Sequence, residues 1–508
     1  MFSLRSAWLL LVAWALLLAV WVISNAPFAA PDEVEHFIRA VGVSEGHLIG
    51  QKDPGALTGG ATPRQRAWTA QAARLVSLPG GLNPEAFTCE LGPEELDAAC
   101  QNAADREPPA TTIVTAVGNY QPLPYVLPAV ALSMGHSVTS ALRLARAAQA
   151  LLALGLLVIA VLAIYDRRHP LLSLLGVMLA VTPMVIFCAA SLNGSGVEIT
   201  AAVAFFACLL RAARESAIPA SVLAMTALSG IALALSRSSG PAWLLLLALI
   251  ACVWSKPRAF AHKWTARWSD RTATGAIAVA LVLNRLWEAA YGSRTPLDIS
   301  QLHAGLVAGA HAWWKAMPNV VGTFGYVDVK LPLAATLTWF ALVLALCAVA
   351  MWVSRRAERV LLGCVLALAL GGPALFYAIV IRPTGFGLQG RHVLGILVAV
   401  PLLAGEALHR HRDRVRAPLT RRLSACVAVL VALIQALAWY VNAKRYAVGA
   451  KGPAWFLDRA AWSPPLGWWP WLAVTIVATL CVLASARDGR RTESGTPLRT
   501  PSTGTRAA

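Results

Sequence analysis

The sequence predicts an all-α, polytopic helical membrane protein with about twelve transmembrane helices and a large first outer loop. Three observations carry that expectation. Hydrophobic residues are 57% of the 508 and charged residues only 13%, whereas a soluble domain runs near a quarter charged. Apolar runs recur along the whole chain at the length of about twenty residues that crosses a bilayer. The runs are continuous Leu, Ala and Val, not the short alternating segments of a membrane β-barrel.

Taken in order, the spans fall at 7–26, 143–165, 171–190, 197–211, 218–235, 241–254, 273–288, 332–353, 360–381, 393–408, 423–441 and 468–485. The first reads as a retained helix, because its core is long for a signal peptide and Pro27 follows at once. Pro122–His136 is apolar but short for a span, and Pro122, Pro124 and Pro128 interrupt its start. If it crosses, the loop Asp166-Arg167-Arg168-His169 and most later basic clusters fall outside. If it is re-entrant or interfacial, every basic cluster falls inside, as the positive-inside rule requires. The second arrangement is adopted. It gives outer loops at 27–142 and 289–331, shorter ones at 382–392 and 442–467, and both termini on the cytoplasmic side of a bacterial cytoplasmic membrane. Residues 1–486 form the integral membrane domain, and 487–508, rich in Thr, Ser, Gly and Arg, form a disordered cytoplasmic tail. No soluble catalytic domain or internal repeat stands out.

The net charge of +18 does not mark a nucleic-acid binder. Its excess lies in short clusters such as Lys256–Arg271 and Arg410–Arg422, where it sets topology and meets anionic lipid. Seven of the nine cysteines sit in or beside apolar runs and behave as small hydrophobes. Cys89 and Cys100 share the first outer loop, where a disulfide and two free thiols are both open.

The chemistry concentrates just past the first span. Asp32, Glu33, Glu35 and His36 stand at a membrane boundary, where charge is costly unless solvated or used. Pro31 fits the first turn of a helix whose dipole favours acids, and Asp32 then faces Glu35 and His36. A carboxylate there can take a proton from an acceptor hydroxyl or hold a divalent cation, and such acids suit work on a lipid-linked substrate. The plain alternative is a solvated, well-capped helix start.

Further along, Asn119 to Tyr125 leads into the short apolar segment and shapes a groove or anchors an interface. Arg143 and Arg146 open the second full span, to snorkel or to meet a lipid phosphate. Glu198 is a lone acid after Ser191-Leu192-Asn193-Gly194-Ser195-Gly196. Arg237, the only charge in a long apolar stretch, has the planar fork that matches phosphate. Asp328 lies in Gly322–Pro332 and has Lys330 or another base as partner. Arg391 and His392 close Gly387-Leu388-Gln389-Gly390-Arg391-His392, where a donor phosphate would find its cation. Walker A, GxGxxG, HExxH and GxSxG patterns are absent, so ATP-driven transport and zincin or serine-hydrolase chemistry have no support.

Several of these motifs, in this order, resemble a bacterial multi-pass family designated domain of unknown function 2142. The resemblance rests on Pro31-Asp32-Glu33 with His36, Arg39-Ala40, Gly46-His47-Leu48, Ser191-Leu192-Asn193, Gly322 to Pro332 and Gln389-Gly390-Arg391-His392, over about residues 7–485. That family is similar to the membrane-embedded GT-C glycosyltransferases. The resemblance implies a GT-C-like helical fold, a catalytic acid in the first outer loop and a polyprenyl-phosphate-linked sugar donor. Asp32 matches that acid best, with Glu33 beside it, while His36, Arg143, Glu198, Arg237, Asp328, Arg391 and His392 are the expected substrate contacts. The acceptor would be a cell-envelope glycan, lipid or protein, and nucleic acid is excluded. The family tends to carry Asn-Pro-Asp where this chain has Asn193-Gly194-Ser195, so a second acid is missing unless Glu198 replaces it. Rival expectations are a non-catalytic transporter or flippase of lipid-linked glycans and a structural subunit of envelope assembly.

Overall fold

A computed structural model describes residues 4–52, 62–89, 96–103, 108–294 and 299–494. Helices dominate it. The first span is α1 (Arg5–Ser24), and a cap follows: α2 (Glu33–Ser44), α3 (Pro63–Ala72), strands β1 (Arg74–Leu78) and β2 (Thr111–Thr115), and α4 (Leu123–Leu132). The chain then runs through α5 (Val138–Ile164), α6 (Pro170–Ala180), α7 (Pro183–Ala189), α8 (Gly194–Arg214), α9 (Ala220–Ala234), α10 (Gly240–Ser255), α11 (Pro257–Thr265) and α12 (Trp268–Tyr291). After α13 (Leu302–Ala316) and α14 (Asn319–Gly322) comes a small hairpin, β3 (Thr323–Phe324) with β4 (Val329–Lys330). The remainder is α15 (Leu333–Val353), α16 (Arg356–Phe376), α17 (Leu394–Leu397), α18 (Ala399–Arg410), α19 (Ala417–Val448) and α20 (Trp469–Ser494).

Among the described residues eight helices are long and apolar enough to cross a membrane, or up to ten if each of two bent pairs is one span. The expected twelve is not reached by that measure. The segment at 218–235 folds as a 15-residue helix, α9, and 393–408 is divided between α17 and α18. One bent pair is α6 with α7, turned by 69°, where Pro183 removes a backbone donor. The freed groups are repaired: Gln435 on α19 donates to the Val181 carbonyl at 2.9 Å, and the Thr182 side chain caps α7. The other pair, α10 and α11, bends by 111° at Lys256, whose φ is +68°.

Helix α8 is the hub, with 89% of its apolar window buried. Its alanines and glycines let neighbours approach closely, as membrane interfaces favour. The same device joins α6 to α18, since a Cβ built on Gly176 would lie 2.6 Å from the Pro401 carbonyl oxygen. At one end of the bundle Ser485 donates to the Ser6 carbonyl at 2.7 Å and Ser6 bonds the Tyr165 hydroxyl at 3.0 Å. The start of α1 and the far part of α20 therefore lie at the same end. Helix α20 runs on to Ser494, past the expected start of the tail, and the rest of the tail lies outside the described residues.

The cap covers the other end. Strands β1 and β2 pair antiparallel, Arg74 opposite Thr115. Cys89 and Cys100 form a disulfide, the outcome left open by sequence. The short apolar segment is α4, ten residues long with Pro128 inside it. Its inner side buries Tyr125, Pro128, Ala129 and Leu132, while Leu123, Val126, Leu127 and Val130 are exposed at helical spacing. That is the pattern of a helix lying in an interface.

Candidate functional site

Helix α1 stops at Ser24, and the chain turns through Pro27 to Pro31 before α2 begins. Asp32 sits where a capping residue belongs, yet its side chain makes no cap. Its φ is +62°, a left-handed conformation that costs free energy in any residue with a Cβ. The carboxylate is turned instead onto Arg391, with Oδ2 accepting from Nη2 at 2.5 Å, while Arg391 Nη1 donates to the Pro31 carbonyl at 3.2 Å. The Asp32 side chain is 47% exposed and that of Arg391 only 6%. Half-exposed, Asp32 stands with Arg391, His36 and His392 close around it, and the space among them is the recess it faces. Burial by itself would raise the Asp32 carboxyl; the Arg391 guanidinium, helped by His36, outweighs it and holds the group below the model-peptide value of 3.8.

Glu33 points the other way and is fully buried. Arg146 on α5 grips it through Nε at 2.8 Å and Nη2 at 2.5 Å, and the Leu192 backbone N–H adds a third bond at 2.9 Å. Arg146 also donates to the carbonyls of Asn25 and Ala26 at 2.9 Å each. Both Glu33 oxygens are thus spent on fastening α1, α2, α5 and the α7–α8 turn together, and neither is left for a substrate. Asn193 completes the turn by capping α8, accepting from the Gly196 N–H at 3.0 Å.

The rest of α2 is fixed from the cap. The His36 ring bonds the Tyr125 hydroxyl through Nδ1 at 2.6 Å, and its burial lowers the ring's pKa to about 3. Glu35 accepts from the Thr115 hydroxyl at 2.8 Å and the Ala116 N–H at 2.6 Å. Burial pushes its carboxyl up despite those bonds. Arg39 has carbonyl partners, donating to Leu48 at 2.5 Å and Tyr120 at 2.9 Å. The pairing of Arg39 with Gly46-His47-Leu48 is therefore a backbone clamp.

A second charged pair stands across the recess. Glu198 is fully buried on α8, where it accepts from Ser239 and lies 3.5 Å from Arg237. Arg237 also donates to Ser195 at 2.9 Å. It stands close enough to His36, His392 and Tyr120 to bias their ionisation. His392 is half-buried; the loss of water around its ring, with Arg391 and Arg237 nearby, lowers its pKa well below 6.5, and its Nδ1 accepts from the Gln389 N–H at 3.3 Å. Gly390 permits this corner, because a Cβ there would meet the Asn319 carbonyl carbon and Val320 nitrogen at 2.5 Å.

Asp32, His36, Glu198, Arg237, Arg391 and His392 are thus brought to one region, while other expected contacts are employed elsewhere. Asp328 pairs not with Lys330 but with Arg445 on α19, at 2.8 Å. Arg143 lies half-buried one turn before Arg146, and its Nε has no hydrogen-bond partner among the described residues. Sequence reasoning singled out Arg146 with Arg143 at the start of a span, to snorkel or to meet a lipid phosphate, and did not find Glu33 as its partner. It also missed Tyr326 at the tip of the β3–β4 hairpin. That side chain is exposed at the tip and lies near Asp32 and Glu35. Its neighbour Val327 has φ +70°, an outlier for a β-branched residue.

Among the described residues no group of three or more His, Cys, Asp or Glu could hold a metal ion. Asp32 is engaged with Arg391, and nearby Glu35 with Thr115 and Ala116, so the donor set among the described residues does not fit a divalent cation. The family described as predicted membrane protein (DUF2142) matches residues 15–400. No curated protein and no solved structure matches the chain.

Proposed function

The chain belongs to the DUF2142 family of predicted membrane proteins, and from that premise we propose a GT-C-like glycosyltransferase that moves a sugar from a polyprenyl-phosphate donor to a cell-envelope acceptor. The supporting observation is the Asp32–Arg391 contact: an acid in a costly backbone conformation, turned away from its own helix, opening into a recess with a second cation, Arg237. The work is placed on the outer face of the cytoplasmic membrane. The acceptor hydroxyl oxygen attacks the anomeric carbon, and the bond from that carbon to the phosphate oxygen breaks. The hydroxyl proton passes to Asp32, and the lipid phosphate leaves as an anion onto Arg391 and Arg237. The displacement inverts the anomeric centre. Charge builds on the phosphate as the bond breaks, where fixed guanidinium groups are worth most. Arg391 has two calls on it. When the donor phosphate draws Arg391 away, Asp32 loses its main stabilising cation and becomes a stronger base. Glu33 positions and does not react.

The same contact favours a second reading. A carboxylate 2.5 Å from a guanidinium is a masked base, and a flippase for lipid-linked glycans needs the cations without a base. Asp32→Asn separates the two. A deletion strain complemented with wild-type protein should regain its glycan decoration. With Asp32→Asn at equal abundance, transfer should fall by roughly 10²–10⁴-fold, and a polyprenyl-linked sugar should accumulate. Full restoration by the amide variant would sink the catalytic reading and leave transport.

A further inference from the structure

At the opposite end of the bundle, where the ends of α8, α10 and α18 meet, lies a cavity of about 490 Å³. It shares no residue with the Asp32 recess. Four basic side chains line it, Arg214, Lys256, Arg410 and Arg412, against one carboxylate, Glu406. Arg214 is neutralised by that carboxylate, with Nε 2.9 Å from both oxygens. Arg410 lies 4.2 Å over the Trp254 ring and only 3.4 Å from Glu358, which His411 also holds at 2.6 Å. Lys256 is held out by the sharp bend between α10 and α11, and no carboxylate lies within ion-pair distance of it among the described residues. The lining is therefore in positive excess.

The hydrogen-bonding count points the same way. Among the described residues, Trp254 Nε1, Ser255 Oγ and Arg412 Nε are buried atoms without a partner, and all three residues line this cavity. Trp254 is only 6% exposed. Native proteins seldom leave such groups unpaired, since each costs about 1–3 kcal/mol. Three residues with orphaned donors therefore line the same half-open cavity as the uncompensated cations, and together they call for a ligand that is anionic and rich in acceptor oxygens.

We propose that this cavity is a binding site for a phosphate-bearing ligand, formed by Trp254, Ser255, Lys256, Arg410 and Arg412. Phosphate supplies the acceptors that the indole N–H, the hydroxyl and the guanidinium groups lack, and its charge matches the excess. Two sources share that chemistry. One is the headgroup of an anionic phospholipid, whose tails would lie against neighbouring helices; the other is free phosphate.

The test uses the full chain purified in a zwitterionic detergent. Native mass spectrometry and thermal unfolding are read with dioleoylphosphatidylglycerol, with dioleoylphosphatidylcholine and with inorganic phosphate. Phosphatidylglycerol, or phosphate, should bind and raise the unfolding midpoint, while phosphatidylcholine should do neither. Lys256→Gln with Arg412→Gln should weaken that binding by about tenfold or more, the equivalent of one charge-assisted bond. Arg258→Gln, an exposed cation outside the cavity lining, should leave it unchanged. If the double variant does not fold, Trp254→Phe keeps the ring and removes the N–H, and should weaken binding several-fold. Binding of the lipid alone identifies a headgroup site, and competition by phosphate identifies the free anion. Equal binding by wild type and both cavity variants, or equal loss with Arg258→Gln, overturns the site.

Discussion

Glu33 and Asp32 are adjacent in the chain and opposite in employment. Glu33→Gln keeps the shape of the side chain but strands Arg146 without a countercharge in a buried place. Breaking a buried pair from one side costs about 3–5 kcal/mol, so the apparent unfolding midpoint of the purified protein should drop clearly. An unchanged midpoint would remove the fastening role. His36 makes a prediction about acid. Its folded pKa, about 3, lies below the ordinary 6.5, so the unfolded chain binds the extra proton first as pH falls. Its contribution is complete above 6.5 and is lost between 6.5 and 3. Thermal stability should decline across that window, and His36→Gln should flatten the decline. At this scale the sequence was partly legible. Acids beside a first span announced themselves by cost alone. Which acid would be spent on structure was not visible, because the Arg146 that takes Glu33 lies 113 residues away.

Helices and corners carry the next level. Gly390 is where the Arg391 corner touches the α14 backbone. Gly390→Ala forces backbone apart, and overpacking of this kind costs about 1–3 kcal/mol. Both the unfolding midpoint and any transfer activity should fall, because Arg391 moves with the corner. Gly387→Ala is the control, with nothing within 4 Å of a new Cβ; equal effects from the two would refute the close-approach argument. The long apolar runs gave α1, α5, α8, α15 and α19 nearly as expected, since hydropathy over twenty residues is a strong signal. The bend between α6 and α7 left a Pro in the chain but no sign of its angle, which depends on the Gln435 amide donating to the opened backbone and on the Val320 carbonyl holding the Thr182 hydroxyl.

For the whole molecule, the question is which end faces which side. Ser6, Tyr165 and Ser485 share one end with the basic cavity, and the Asp32 cluster occupies the other. Single cysteines at Tyr326 and at Arg258 should therefore respond oppositely to a membrane-impermeant thiol reagent added to intact cells, the first labelling and the second only after permeabilisation. Labelling of both from outside would break the proposed orientation. The sequence anticipated one outer site because its motifs cluster at span ends. It could not show that Asp32 and Arg391, 359 residues apart, are in contact.

An interfacial helix α4 would ride at the waterline. Its greasy stripe would meet acyl chains, while its dry side carries the tyrosine that steadies the His36 ring. A thicker or thinner bilayer must lift or sink that stripe, and the imidazole is tethered to the same float. On the proposed function the membrane would then be a mechanical part of the reaction chamber's wall, and its depth a variable of the chemistry and not only of the anchoring.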